Sequence, residues 1–188
     1  GLPGALAHFI GGAPGAAVQG AYGATLLADS AGGYVLVGVA SFTAAAVLTV
    51  NGQTVFFMNA TAALDEAQNS SGEVTLKLLK NVRFGGDSYS VTHGTFTVDL
   101  NGYALGNDAT GLAEISGADV TFVSSAERAI GQYSEFHINS GKLTIDLSNT
   151  FGVRRLVVYG GEVAISGGNF SDSVGISLRS GSVRISGG

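Results

Sequence analysis

The sequence predicts an all-β fold: a right-handed parallel β-helix (a solenoid) with a short N-terminal capping helix and an irregular or β-structured N-terminal region. Three observations lead there. Of 188 residues, 30 are glycine and 2 are proline, while 45% are hydrophobic and 12% charged. That composition is too apolar for a disordered chain and lacks the three-residue glycine period of collagen, so it suits short strands joined by tight turns. From Gly72 onward, a glycine followed by alternating apolar residues recurs at Gly94, Gly117, Gly141, Gly161 and Gly181. A second short alternating run precedes most of these glycines: Tyr89-Ser90-Val91, Phe136-His137-Ile138, Leu156-Val157-Val158 and Ile176-Ser177-Leu178.

Taken in chain order, residues 1–59 form an uncharged N-terminal arm and β segment that packs on the solenoid. Asp29 is the single formal charge before Asp65. Residues 1–23, rich in glycine and alanine without a period, read as an extended or irregular lead-in. The apolar run Gly33–Val50 is about long enough to span a bilayer, but it lacks Lys/Arg flanks and is broken by Gly, Ser and Thr. It leads into Asn51-Gly52 between two β-rich runs, the strongest short hairpin signal, so it reads as strands. Residues 59–69 predict one helix, with Asn59 or Thr61 as cap, acids in its first turns, and Ala63, Leu64 and Ala67 on one apolar face. Asn69-Ser70-Ser71-Gly72 supplies residues tolerant of a left-handed stop.

Residues 60–188 are the solenoid, with the helix at 60–69 and coils starting near 72, 94, 117, 141, 161 and 181. No coil buries its apolar face alone, so like residues stack in columns. Val74, Phe96, Val120, Leu143, Val163 and Val183 make one column, and Leu76, Val98, Phe122, Ile145, Ile165 and Ile185 the next. Val98, Phe122, Ile145 and Ile165 are expected to be almost fully buried.

Three stretches carry a resemblance: Val74-Thr75-Leu76-Lys77-Leu78-Leu79-Lys80-Asn81-Val82, Val98-Asp99-Leu100-Asn101-Gly102-Tyr103 and Ile165-Ser166-Gly167-Gly168-Asn169-Phe170. Over residues 47–188 the chain resembles glycine-rich β-helical repeat proteins of bacterial cell surfaces, in the pectin-lyase-like superfamily. The resemblance implies a helix capping the first coil, here residues 60–69. It also implies a secreted or bacterial cell-surface location. It specifies no activity, because such β-helices host many functions.

Enzymes of that superfamily acting on acidic polysaccharide carry paired aspartates with a histidine, or calcium-binding acids with an arginine. The weak catalytic candidates here are Asp99 and Asp146, which share one position of the repeat with Val123 between them. Their strands lie two rungs apart, about 10 Å, near the upper end of an inverting-glycosidase separation. Both read first as solvated outer-face carboxylates. His93 precedes a corner glycine, and His137, between two inward residues, points outward; His8 lies in the lead-in. Arg154-Arg155 reads as a solvated corner, or as a contact for an anionic glycan. Gly85-Gly86-Asp87 is an isolated turn rather than a calcium-binding repeat. Thr75, Thr97, Thr121 and Thr144 stack, but their column breaks at Ala164 and Arg184, so it reads as ordinary strand surface. Asn59-Ala60-Thr61, Asn69-Ser70-Ser71 and Asn169-Phe170-Ser171 match the glycosylation tripeptide, as expected by chance in so Ser/Thr-rich a chain.

Zero cysteines exclude thiolate chemistry and disulfides, and no metal or cofactor is expected. A net charge of −5 offers no field for nucleic acid. The expected role is therefore a non-enzymatic module of a bacterial surface or secreted protein, serving adhesion or as a spacer. Its partners would be glycans or other surface proteins, without a membrane span. One alternative is a carbohydrate-active β-helix, a polysaccharide lyase or glycoside hydrolase. Another is a self-assembling structural domain, in which the arm mediates a homo-oligomer. Because the sequence stops within a repeat, its last coil is expected to be covered by further coils of a longer chain or by a neighbour.

Overall fold

The computed structural model describes residues 5–9, 25–28, 34–37, 44–82, 89–105, 112–126, 130–169 and 175–187. It is 61% strand, with one short helix and a β-solenoid. Five strands precede the helix: β1 (Ala5–Phe9), β2 (Thr25–Ala28), β3 (Tyr34–Val37), β4 (Ala46–Val50) and β5 (Gln53–Phe57). Helix α1 (Ala60–Asn69) is followed by β6 (Val74–Leu78), β7 (Tyr89–Val91), β8 (Thr95–Asp99) and β9 (Leu112–Val123). The chain then forms β10 (Ile130–Val158), β11 (Glu162–Asn169), β12 (Gly175–Leu178) and β13 (Ser182–Ile185). Strands as long as β9 and β10 run through corners at Gly117 and Gly141, both at positive φ, where the ladder between them shifts register and then resumes.

The repeat pairs as its alternation demands. β6, β8, β9, β10, β11 and β13 follow one another in parallel. Leu76 lies opposite Val98, Val98 opposite Phe122, Phe122 opposite Ile145, Ile145 opposite Ile165, and Ile165 opposite Ile185. The neighbouring column runs from Phe96 through Val120, Leu143 and Val163 to Val183. Val98, Phe122, Ile145 and Ile165 are 0%, 4%, 1% and 0% exposed, as the pattern requires of residues that meet only other coils. A second wall is built from β7 on β9, β9 on the first part of β10, and the last part of β10 on β12. Here alternation fails at one point: Leu156, Val157 and Val158 are all buried, although Val157 stands outside the main apolar cluster.

The hairpin forms as the Asn-Gly signal indicates. Asn51 and Gly52 take φ 50° and 82°, both positive as a two-residue hairpin turn needs, and β4 pairs antiparallel with β5. β4 also pairs antiparallel with β6, which joins the hairpin edge-on to the first coil. Within the lead-in, read as extended or irregular, Ala5–Phe9 is a strand. β1 and β2 both flank β3 antiparallel, and β2 joins β5, so the N-terminal strands extend the main sheet edgewise. Glycine and alanine there hide any two-residue period, and backbone pairing decides the structure instead. Residues 1–4 and 10–24 lie outside the described residues.

Helix α1 begins at Asn59, whose Oδ1 accepts from Thr61 N at 2.8 Å. Its first turn holds no acid, because Asp65 and Glu66 fall in the second. At the other end Ser70 is extended rather than left-handed. The last carbonyls are satisfied by side chains: Asn69 Nδ2 donates to Asp65 O at 2.8 Å and Ser70 Oγ to Glu66 O at 2.7 Å. The buried face, Ala60, Ala63, Leu64, Ala67 and Gln68, packs into the core cluster with β4, β5 and β6. Among the described residues, no helix is long and apolar enough to cross a membrane.

Candidate functional site

The repeat register sets Asp99 opposite Val123 and Val123 opposite Asp146, so the two carboxylates do share one outer column. Their environments diverge. Asp99 is 7% exposed, whereas Asp146 is open to solvent. The burial of Asp99, read from sequence as solvated, has a local cause. Asn101 and Gly102 follow β8 at φ 48° and 75°, and Tyr103 N closes the turn onto Leu100 O at 2.8 Å. The turn folds back over the carboxylate. Oδ1 of Asp99 accepts from Asn101 N at 2.9 Å and from Ser125 N, one coil further on, at 2.8 Å. Oδ2 lies 3.6 Å from Lys77 Nζ, which donates to Ser125 Oγ at 3.0 Å. Asn101 Nδ2 reaches back one coil to Leu78 O at 3.0 Å, and Gly102 N donates to Ser124 Oγ at 3.2 Å. This cluster ties three successive coils together at one corner. A carboxylate with two backbone donors and an ammonium beside it is spent on structure. Ser125 Oγ accepts from Lys77 and donates to Asn101 Oδ1 at 3.4 Å, an amide that does not take up a proton as an activating base would.

A second polar cluster joins α1 to the second wall. Gln68, 6% exposed, donates from Nε2 to Tyr89 Oη at 2.9 Å and accepts Thr92 N on Oε1 at 2.8 Å. Tyr89 Oη donates in turn to Asp65 Oδ1 at 2.9 Å. Burial first, then the bond to Asp65 and its charge, push the Tyr89 hydroxyl above its ordinary pKa, against a smaller opposing effect of the Gln68 donor. The sequence reading missed this cluster, yet a signal was present. Gln68 lies four residues after Leu64, on the stripe that buries Ala60 and Ala63, where a polar side chain needs partners.

His93 is exposed and its ring nitrogens contact Thr92 Oγ1 at 2.9 Å and Asn69 Oδ1 at 3.1 Å. His137 points outward but is half-buried rather than free, because Tyr159 meets its ring edge-on with centroids 5.4 Å apart. It shares its column with Glu114 and Ser90, and Ser90 Oγ donates to Glu114 Oε2 at 3.3 Å. That order, with the acid between Ser and His, is not the serine–imidazole–carboxylate order of an activated serine. His8 lies in β1 and its side chain is outside the described residues, as are the side chain of Arg154 and all of Gly85-Gly86-Asp87. Arg155 is exposed. Among the described residues, no three His, Cys, Asp or Glu side chains are grouped to hold a metal ion. Of the glycosylation tripeptides, Asn59 is the helix cap and Asn69 binds the helix end and His93; Phe170 and Ser171 of the third lie outside the described residues.

The threonine column is longer than the repeat alone indicates. Thr144 pairs with Thr121, Thr121 with Thr97 and Thr97 with Thr75. The antiparallel hairpin continues it through Thr49 to Thr54, whose hydroxyls lie 3.3 Å apart. All six are half-buried, and the column ends at Ala164 and Arg184. Comparison of the chain with protein-family models, curated proteins and solved structures gave no match.

Proposed function

We propose that this chain is a non-enzymatic β-solenoid module of a bacterial surface or secreted protein, a right-handed parallel β-helix closed at one end by α1, acting in adhesion or as a spacer. One observation carries the reading. Asp99, the carboxylate that the repeat puts forward for chemistry, is consumed by the corner that links β6, β8 and β9, while Asp146 lies exposed two rungs away. Right-handed crossovers follow the near-universal preference of parallel strand connections. The resemblance to glycine-rich repeat proteins of the pectin-lyase-like superfamily supports the surface location. The Thr54–Thr144 column, six hydroxyls on adjacent strands, supplies a row of polar groups suited to an extended polar polymer such as a glycan.

A glycan array together with a turnover panel on polygalacturonate and mixed glycans tests the reading. The expected result is no turnover, with any binding weakened by Thr97→Lys and Thr121→Lys on the column. Turnover that disappears in Asp146→Ala or Asp99→Asn would replace it with a carbohydrate-active enzyme. Asp99→Asn keeps an oxygen for both backbone donors, so a lost activity in that variant would not be a folding defect.

A further inference from the structure

The end of α1 meets the bend that joins β7 to β8 through a run of side-chain bonds. His93 Nδ1 lies 2.9 Å from Thr92 Oγ1, and His93 Nε2 lies 3.1 Å from Oδ1 of Asn69, the last residue of the helix. The amide of Asn69 is oriented from its other end, where Nδ2 donates to Asp65 O at 2.8 Å. That orientation decides the imidazole. A carbonyl oxygen only accepts, so the proton of the neutral ring sits on Nε2, and Nδ1 presents its lone pair to the threonine hydroxyl. The resulting order is hydroxyl, imidazole, amide. It is the arrangement in which a base takes the proton of a nucleophile while a third group holds the base.

The backbone on both sides of the Thr92–His93 pair is tied to the helix. Thr92 N donates to Oε1 of the buried Gln68 at 2.8 Å, and Gln68 Nε2 donates in turn to Tyr89 Oη. Gly94, at φ +89°, lies so close to α1 that a Cβ there would stand 2.7 Å from Gln68 O. Thr92, His93 and Asn69 are nevertheless exposed, within reach of a small reagent. The corner itself does not call for an imidazole, because the residue before the corner glycine is Ser116, Ser140, Gly160 and Ser180 in the later coils.

We propose that Thr92 is a modification site, a hydroxyl nucleophile that His93 and Asn69 prepare to accept an acyl group from an activated acyl ester. The bond from Oγ1 to the acyl carbon forms as the hydroxyl proton passes to His93 Nδ1. The bond from that carbon to the leaving oxygen then breaks, and the imidazole hands the proton to the departing alkoxide. His93 is the base and Asn69 a positioning residue. The step is one covalent modification per chain, distinct from any turnover of a glycan. It goes beyond the adhesion and spacer reading and stands whether or not the threonine column binds anything.

The full chain is incubated with p-nitrophenyl acetate, release of p-nitrophenolate is followed by absorbance, and the acetylated position is located by peptide mass mapping. Acetylation of Thr92 ahead of the lysines is expected. Thr92→Val, close in shape and still offering its backbone N–H to Gln68, should lose it outright. His93→Gln should slow it about 100-fold or more, the lower end of what a positioned general base contributes. Asn69→Asp and Asn69→Leu both remove the bond to Asp65 O, and only the first keeps an oxygen for His93 Nε2. Asn69→Asp should therefore retain most of the rate while Asn69→Leu loses it several-fold, a difference that a merely structural role for Asn69 would not produce. Far-ultraviolet dichroism checks that each variant, altered at an exposed side chain, remains folded. Acetyl groups on lysine or histidine alone, a His93→Gln variant acetylated at Thr92 as fast as the unsubstituted chain, or equal rates for the two Asn69 variants would overturn the proposal.

Discussion

Truncating Ile145 to alanine tests the column register directly. Ile145 is 1% exposed, with Phe122 opposite on one side and Ile165 on the other. Removing three buried carbons costs about 2.4 kcal/mol at roughly 0.8 kcal/mol each. The cavity adds to that, because the neighbours are fixed by backbone ladders and cannot close in, which places the total in the upper half of the ~2–5 kcal/mol range for such changes. Ile185 provides an internal control: it occupies the same column but is 60% exposed, so Ile185→Ala is expected to cost under about 1 kcal/mol. Urea unfolding followed by far-ultraviolet dichroism measures both, with the m-value checked for constancy. A loss below about 1 kcal/mol for Ile145→Ala, or equal losses for the two variants, would refute the stacking argument.

Three further outcomes are expected. Gly161→Ala should cost more than Gly52→Ala, since both sit at positive φ but only the first drives its Cβ into a backbone oxygen; Gly52 has nothing within 4 Å, so the second should lose only the ~1–2 kcal/mol of left-handed strain. Chemical denaturation decides the order. Asp99→Ala should lose about 1–3 kcal/mol by stripping two backbone donors of their acceptor, against a change within about 0.5 kcal/mol for exposed Asp146→Ala. Comparable values for the two would show the corner cluster to be unimportant. The raised pKa of Tyr89 has a defined sign. The folded protein holds that proton more tightly than the unfolded chain, so the contribution is complete below the ordinary value of 10.0 and declines as pH rises above it. Tyr89→Phe should flatten the alkaline fall in stability relative to the unsubstituted chain, and parallel curves would remove the clamp from the account.

The solenoid was legible because its signal is redundant. Each Gly-x-apolar-x-apolar unit names its own corner and both inward residues, and five repetitions fix the register, down to Ile145 over Phe122. Asn51-Gly52 was legible for a different reason, since a turn with two positive φ angles admits few residues. What the sequence hid depends on residues brought from other coils. Asp99 is covered by a turn at 101–102 and by Ser125 from the next coil, neither of which its own strand reveals. The strand at Ala5–Phe9 carries no alternation to read and is defined by pairing with β3. His137 is half-buried because Tyr159 lies beside it, a neighbour 22 positions later that is set by the coil length rather than by local pattern.

The equivalence of the corners makes length itself an adjustable property of this molecule. Gly161 and Gly181 occupy the same place in successive coils, and β11 and β13 pair through like residues. Excising residues 161–180 would join Gly160 to Gly181 and lower Val183 and Ile185 onto Leu143 and Ile145 with alternation intact. Duplicating the same stretch would insert one more rung. Each such step changes the reach of the solenoid by about 4.8 Å and leaves the coils before it in their register. A protein built this way can be lengthened or shortened in whole increments by duplication or deletion of a short stretch of its gene, which is how a molecular ruler would be tuned to the distance it has to cover.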